Sequence, residues 1–241
     1  MLGPINSRTA LLAVALAAAT AATAAVASTI SPRSLTSNPP INYPYDYSSI
    51  TCPDPDTFSL SALITPTYGT SGGVFVVCSS IVISAPASLV RDVILDYHSY
   101  SLWNSFVVSV TNMPSNVIET PRDVCVGMPM TFTTSGLVAG LNTTSNEILT
   151  VVDGEGVGEG EDGRPYFLVA WRYDDGLAGT GARAEHPYVI VDLGGGSSRV
   201  LSYESYYVGL LTPSIDLLKG KLQTQFENQA ADLKAYVESL V

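Results

Sequence analysis

The stretch 212–241 constrains this chain more than any other. Thr212 stands as an N-cap with Pro213 at the first helical position, and Ile215, Leu218, Leu222, Phe226, Ala230, Leu233, Val237 and Leu240 follow at steps of three or four. That spacing predicts a long helix with one apolar face, while Lys219, Lys221, Asp232, Lys234 and Glu238 occupy the other side. Gly220 costs about 1 kcal/mol relative to Ala inside a helix and marks an expected kink. A one-sided helix of this length has to lie on an apolar surface, and the preceding chain supplies one.

Ahead of the helix the period changes from helical to strand-like. A β-branched run over 74–83 is followed, after Pro86, by a short helix over 87–95 and a second helical turn over 97–104. Strands are expected near 106–113, 124–135, 145–152, 166–173, 182–193 and 198–210, separated by breaks rich in Gly, Pro, Asp and Asn. Seven strands with helices in two places predict an α+β fold.

Particular residues carry a family resemblance. Ser80-Ile81-Val82-Ile83-Ser84-Ala85-Pro86-Ala87, with Val90, Asp96, Tyr100, Trp103-Asn104 and Phe106, resembles the opening of the START-like superfamily, which includes Bet v 1 relatives and polyketide cyclase/dehydrase (SRPBCC) proteins. Glu185-His186, Gly194-Gly195-Gly196, Arg199, Glu204, Gly209-Leu210-Leu211 and Phe226 resemble its closing half. The resemblance implies a helix-grip domain over 74–241, in which a curved seven-stranded antiparallel sheet wraps the long C-terminal helix around an apolar cavity. It implies a hydrophobic small-molecule partner. The superfamily hosts carriers, receptors and cyclases, so the fold leaves the activity open.

The chain before the domain differs in character. Residues 1–27 combine Arg8, an apolar stretch over 10–19 and the small-residue end Ala25-Val26-Ala27, the pattern of a secretory signal peptide rather than of a membrane-spanning helix. Residues 28–73 form an extended Pro-, Ser-, Thr- and Tyr-rich segment, expected to lie over the domain or remain loose, with the domain folding without 28–60. Within it, Gly69-Thr70-Ser71-Gly72-Gly73 spells a hydrolase elbow, but the order is loop then strand, so a turn is expected. An oxidising compartment permits one disulfide, assigned to Cys52 and Cys125, with Cys78 as a small buried hydrophobe. Asn142-Thr143-Thr144 is a glycosylation sequon expected on a surface hairpin, in keeping with a secreted glycoprotein.

Composition excludes several partners. A net charge of −11 without a basic cluster argues against nucleic acid and anionic membranes, and no stable membrane insertion is expected. No cofactor or metal is expected either: no two cysteines have C-x-x-C spacing, and the acidic Gly-rich run 153–163 lacks EF-hand spacing and reads as a hairpin loop.

Two histidines remain, and His186 is the better candidate. It shares a strand face with Ala184, Tyr188 and Ile190, pointing toward the expected cavity. A three-residue turn at Gly194-Gly195-Gly196 places it opposite Glu204, where the carboxylate would raise its pKa and make an acid/base pair; a two- or four-residue turn sends Glu204 to the other face. Trp103, Tyr188, Tyr206 and Phe226 complete the expected ligand wall, while His98 is expected in solvent and Arg172 on the convex side. Two functions follow. One is a carrier for a lipid, polyketide- or terpene-like metabolite; the other is a cyclase, dehydratase or isomerase using His186 and Glu204.

Overall fold

The computed structural model describes residues 45–54, 62–153, 158–160, 162–174 and 180–241; the signal-like segment 1–27 lies outside them, as does part of the acidic Gly-rich run. Strands β1 (Gly73–Ile83), β2 (Val107–Thr111), β3 (Pro129–Val138), β4 (Leu141–Val152), β6 (Pro165–Tyr173), β7 (Arg183–Gly194) and β8 (Ser197–Tyr207) form one antiparallel sheet in the order β1-β8-β7-β6-β4-β3-β2. A two-residue strand, β5 (Gly158–Glu159), pairs with β6. Helices α1 (Ala87–Leu95) and α2 (Tyr100–Trp103) follow β1, and α3 (Thr212–Asp216) and α4 (Lys219–Glu238) end the chain. This is the α+β helix-grip architecture, with α4 on the concave face.

The C-terminal helix is broken earlier than Gly220 predicts. Leu211 holds the N-cap position of α3 and Leu218 that of α4, so the interruption falls at 217–218. Thr212 is displaced from the expected cap because its hydroxyl donates to the Tyr207 carbonyl at 2.6 Å, fastening α3 to the end of β8. The break lets Leu218 turn inward alongside Leu222, Phe226 and Leu233, all buried in the concave core.

Helix α4 also seals an edge. The Gln223 amide receives the Cys78 N–H at 3.0 Å and donates to the Cys78 carbonyl at 2.8 Å, substituting for a neighbouring strand. Lys234 Nζ donates to the Val82 carbonyl at 2.7 Å, and Glu238 accepts from the Ser84 N–H at 2.8 Å. Edge β1 therefore presents few unpaired backbone groups to another chain.

The extension covers the convex face. Strands β6, β7 and β8 are buried on both faces along most of their length because Tyr47, Ile50, Leu63 and Ile64 pack over Val76, Leu168, Val189, Leu201 and Tyr203 in a second core. Polar contacts fix this layer. Arg199 donates to the Ser48 and Ile50 carbonyls, Tyr203 Oη to the Ile64 carbonyl at 2.6 Å, and Ser205 Oγ to the Leu63 carbonyl at 2.8 Å. Arg172, on the same side, reaches Tyr68 Oη rather than standing free in solvent.

The disulfide joins Cys52 to Cys78, correcting the Cys52–Cys125 assignment. The reason is the two-residue alternation of β1: Phe75 and Val77 face the concave core, so Val76 and Cys78 face the layer that carries Cys52. Cys125 packs against the concave cluster on the other side of the sheet and is a free thiol, pushed to higher pKa by burial.

The extension is thus a packed layer. Closing a loop between residues 26 apart removes unfolded-state entropy worth about 3 kcal/mol. Replacing Cys52 and Cys78 with Ser should lower denaturant stability by about that amount, and deleting residues 45–67 should abolish cooperative unfolding or cause self-association through the uncovered face. A deletion variant that unfolds at the full-length midpoint would show the layer to be dispensable.

Candidate functional site

Between the sheet and the α3–α4 segment lies a cavity of about 160 Å³. Its walls include Phe106, Phe132, Trp171, Tyr173, Ala184, His186, Glu204 and Tyr206 from the sheet side, Glu147 from β4, and Leu211, Ile215, Leu218, Leu222 and Gln229 from the C-terminal helices. Lining residues that still meet solvent, such as Thr144, Ser214 and Ile215, mark its mouth.

The expected register is present, reached by a different turn. Gly194 pairs with Ser197 across the two-residue turn Gly195-Gly196, where all three glycines have positive φ, and a bulge at Leu193 returns the ladder to Asp192 opposite Ser198. Glu185 opposite Ser205 and Tyr188 opposite Ser202 then place His186 across from Glu204.

Facing each other has not made them a pair. His186 Nε2 hydrogen-bonds Ser202 Oγ at 2.8 Å. Its ring stacks on Tyr188 (4.8 Å between centroids) and Phe226 (4.7 Å), with Trp171 tilted at 4.7 Å. Burial pushes its pKa down from 6.5 to about 3 instead of up, so the imidazole is neutral. Glu204 instead accepts from Tyr206 Oη at 2.6 Å, and Tyr206 stacks on Phe75 at 4.4 Å. What surface Glu204 retains faces the cavity, and desolvation raises its pKa to about 7 against the opposing Tyr206 hydrogen bond.

Two further polar groups complete the site. Glu147 is buried on the cavity wall, and desolvation, then the nearby Glu204 charge, hold its carboxyl well above the usual range, opposed by the Ser145 hydroxyl. Gln229 is 2% exposed, and its Oε1 has no hydrogen-bond partner. Both had a readable signal. Glu147 lies two residues from the inward Leu149 on β4, and Gln229 falls between Phe226 and Leu233 within the apolar stripe of α4.

The remaining candidates are distributed differently. Tyr188 and Phe226 stand behind the wall as the slabs that hold His186. Trp103 packs between Tyr100 and Tyr236, away from the cavity lining, and His98 is exposed. Asn142 is exposed at the start of β4, beside the β3–β4 turn. Among the described residues no cluster of three His, Cys, Asp or Glu side chains is arranged to hold a metal, and no helix is long and apolar enough to cross a membrane. A wider groove between the disulfide segment and α4 borders residues outside the description.

No protein-family model matches the chain, and no curated protein matches it. Solved structures do. A hypothetical protein from Helicobacter pylori aligns over 68% of this chain and 88% of its own at 14% identity and a TM-score of 0.50. The Zhui aromatase/cyclase from Streptomyces sp. R1128 aligns over 68% and 93% at 11% identity and a TM-score of 0.50. A START superfamily protein from Mycobacterium smegmatis covers 69% and 99% at 14% identity and a TM-score of 0.47. At these identities the likeness is one of fold, the helix-grip architecture shared with the Helicobacter pylori protein and the aromatase/cyclase.

The buried acids set the pH dependence of stability. Glu147, Glu204 and, beyond β4, Asp153 have raised folded pKa values, so their contribution is present below the unfolded range near 4 and lost as pH rises through the folded values, about 7 for Glu204 and Asp153. His186 has the opposite sign: its contribution is present above 6.5 and lost as pH falls toward 3. With three groups against one, Tm should rise from pH 8 to about pH 5.5. Glu204→Gln should flatten that slope and stabilise the ligand-free protein at pH 8 by about 2 kcal/mol. Calorimetry across that range checks it, and a Tm that falls on acidification contradicts the assignment.

Proposed function

We propose that the protein binds a hydrophobic small molecule, of lipid, polyketide- or terpene-like character, in the cavity between the sheet and α4. The observation that carries this reading is the cavity itself, enclosed by aromatic and aliphatic walls with a few polar groups turned inward. An apolar cavity of about 150 Å³ accommodates benzene, so the enclosed portion fits one ring or a short chain, and a larger ligand would extend through the mouth. The helix-grip fold supports the same reading.

A second reading is favoured by Glu147 and Glu204, whose carboxyls desolvation holds above the usual range inside the cavity, that of Glu204 at about 7. Such carboxyls suit general acid or base work, and the fold is shared with the Zhui aromatase/cyclase. On this reading the protein is a cyclase, dehydratase or isomerase acting on a polyketide or polyene intermediate, with Glu204 moving the proton and His186 as a neutral hydrogen-bonding wall.

A secretory-pathway location accords with residues 1–27, the Cys52–Cys78 disulfide and the exposed Asn142 sequon. Material from the native host should lose a glycosidase-sensitive mass shift in Asn142→Gln; an unchanged mass in the parent protein counts against modification there.

Titration with n-butylbenzene, followed by calorimetry, should give saturable binding that raises Tm, and Ala184→Phe, which fills the cavity from its wall, should abolish it while leaving the protein folded. Absence of binding by the parent protein would remove the proposal. Glu204→Gln separates the two readings. A carrier should lose about 1–2 kcal/mol of affinity for the molecule that co-purifies from the host, whereas an enzyme should keep binding and lose roughly 10² to 10⁴ in turnover.

A further inference from the structure

The polar content of the cavity is one-sided. Its lining contains two carboxyl side chains, Glu147 and Glu204, and no Lys or Arg among the described residues. His186 is neutral and engaged with Ser202. The cations of neighbouring elements serve elsewhere: Lys219 Nζ lies over the Phe75 ring, Lys221 donates to the Leu137 carbonyl at 3.0 Å, and Arg172 is on the convex side with Tyr68. The charged group that does act on Glu147 from outside, Asp174, is another acid.

Two acids in one desolvated space lack the partner that normally accompanies burial, because each pays a desolvation cost that only an opposite charge or several donors offsets. The second observation is independent of charge. Gln229 Oε1 is an acceptor without a donor, on a side chain 2% exposed that lines the same cavity. The lining includes the rings of Phe132, Trp171, Tyr173 and Tyr206, side chains of the kind that attract a cation over their faces. An ammonium group supplies what all three features lack: positive charge, several N–H donors and a fit to aromatic walls.

Resting on the reading of this cavity as a ligand site, we infer that the ligand carries a basic nitrogen, bound as an ammonium by Glu147 and Glu204 with Gln229 as a neutral acceptor, and its apolar body lies against the aromatic wall. Desolvation raises both carboxyl pKa values, that of Glu204 to about 7, so below that pH binding an ammonium releases the Glu204 proton to solvent. Affinity should therefore rise with pH up to about 7, by about tenfold per pH unit for each proton released, and level off above it. Tyr206 and His186 do not ionise over that range in a way that opposes this direction, since Tyr206 is held well above its ordinary value and His186 stays neutral.

The test compares 3-phenylpropylamine with 3-phenylpropan-1-ol, near-isosteric and of about the enclosed size, by calorimetry on the full protein at pH 5.5 and pH 8. The amine should bind at least tenfold more tightly than the alcohol at pH 8, and the preference should shrink at least tenfold at pH 5.5. Glu147→Gln and Glu204→Gln should each reduce the preference by weakening the amine more than the alcohol, and a single cooperative unfolding transition in calorimetry reports that the variants are folded. Equal affinities, or a preference that survives in both variants, overturn the inference. If n-butylbenzene binds while the amine has no advantage, the basic-nitrogen assignment fails and the apolar-ligand reading stands; if none of the three binds, both fall.

Discussion

The structure depends on a mismatch of widths. Seven strands at about 4.8 Å spacing make a sheet roughly 29 Å across, while a helix with its side chains is about 10–12 Å wide. Curvature brings the sheet margins toward α4, but a single helix cannot fill the concave side. One end is filled by the aromatic cluster of Tyr97, Tyr100 and Trp103 on the short helices after β1. The other is closed by α3 and the break at 217–218, which turns Leu218 inward. The cavity is the volume between these two plugs, so its existence follows from the fold and its chemistry from the few side chains that face it.

The same sheet has a second demand. Its convex face is apolar, with Val76, Leu168, Val189, Leu201 and Tyr203 aligned on it, and left open it would be an association surface. Residues 45–54 and 62–68 answer that demand, held by the disulfide, by Arg199 and by Glu185, which accepts from Thr67 N (2.8 Å), Thr67 Oγ1 (2.8 Å) and Thr150 Oγ1 (2.7 Å). Covering the outer face stiffens β6 to β8, the strands that position Trp171, His186 and Glu204 on the inner one. A segment of low apparent order in sequence therefore supports the site from behind.

Much of this was legible. The apolar stripe over 215–240 and the β-branched alternation specify a helix against a sheet, and the His186–Glu204 register followed from counting back from the glycine turn, although the turn reached it with two residues and a bulge. Partnership was not legible. Facing positions across a ladder establish proximity of backbone, whereas Ser202 and Tyr206, each two residues away on the same face, had the reach to claim the imidazole and the carboxyl. The disulfide was missed for a related reason: strand alternation decides which face Cys78 presents, but only the folded path of the extension brings Cys52 to that face. For Glu147 and Gln229 the inward position was readable but the purpose was not, because a polar residue carries no sign of purpose until its neighbours are known.

Those neighbours distinguish structural polar groups from poised ones. Glu185 is fully buried and has three donors within 2.8 Å. Asn104 Oδ1 accepts from two backbone N–H groups, at 3.0 and 2.7 Å, and Ser198 and Ser205 donate to carbonyls. In these places the fold supplies donors or acceptors, as buried polar groups require. Around the cavity the pattern reverses: Glu204 has one donor, Glu147 has the Ser145 hydroxyl but faces other acids, and Gln229 Oε1 has none. A chain that satisfies its convex carboxylate so fully has no physical need to leave two concave ones uncompensated for the sake of stability, since well-packed apolar residues there would serve it as well or better. The two carboxyls and Gln229 Oε1 line one cavity, where a bound molecule can reach them, which is the placement expected when polar groups are kept for a ligand.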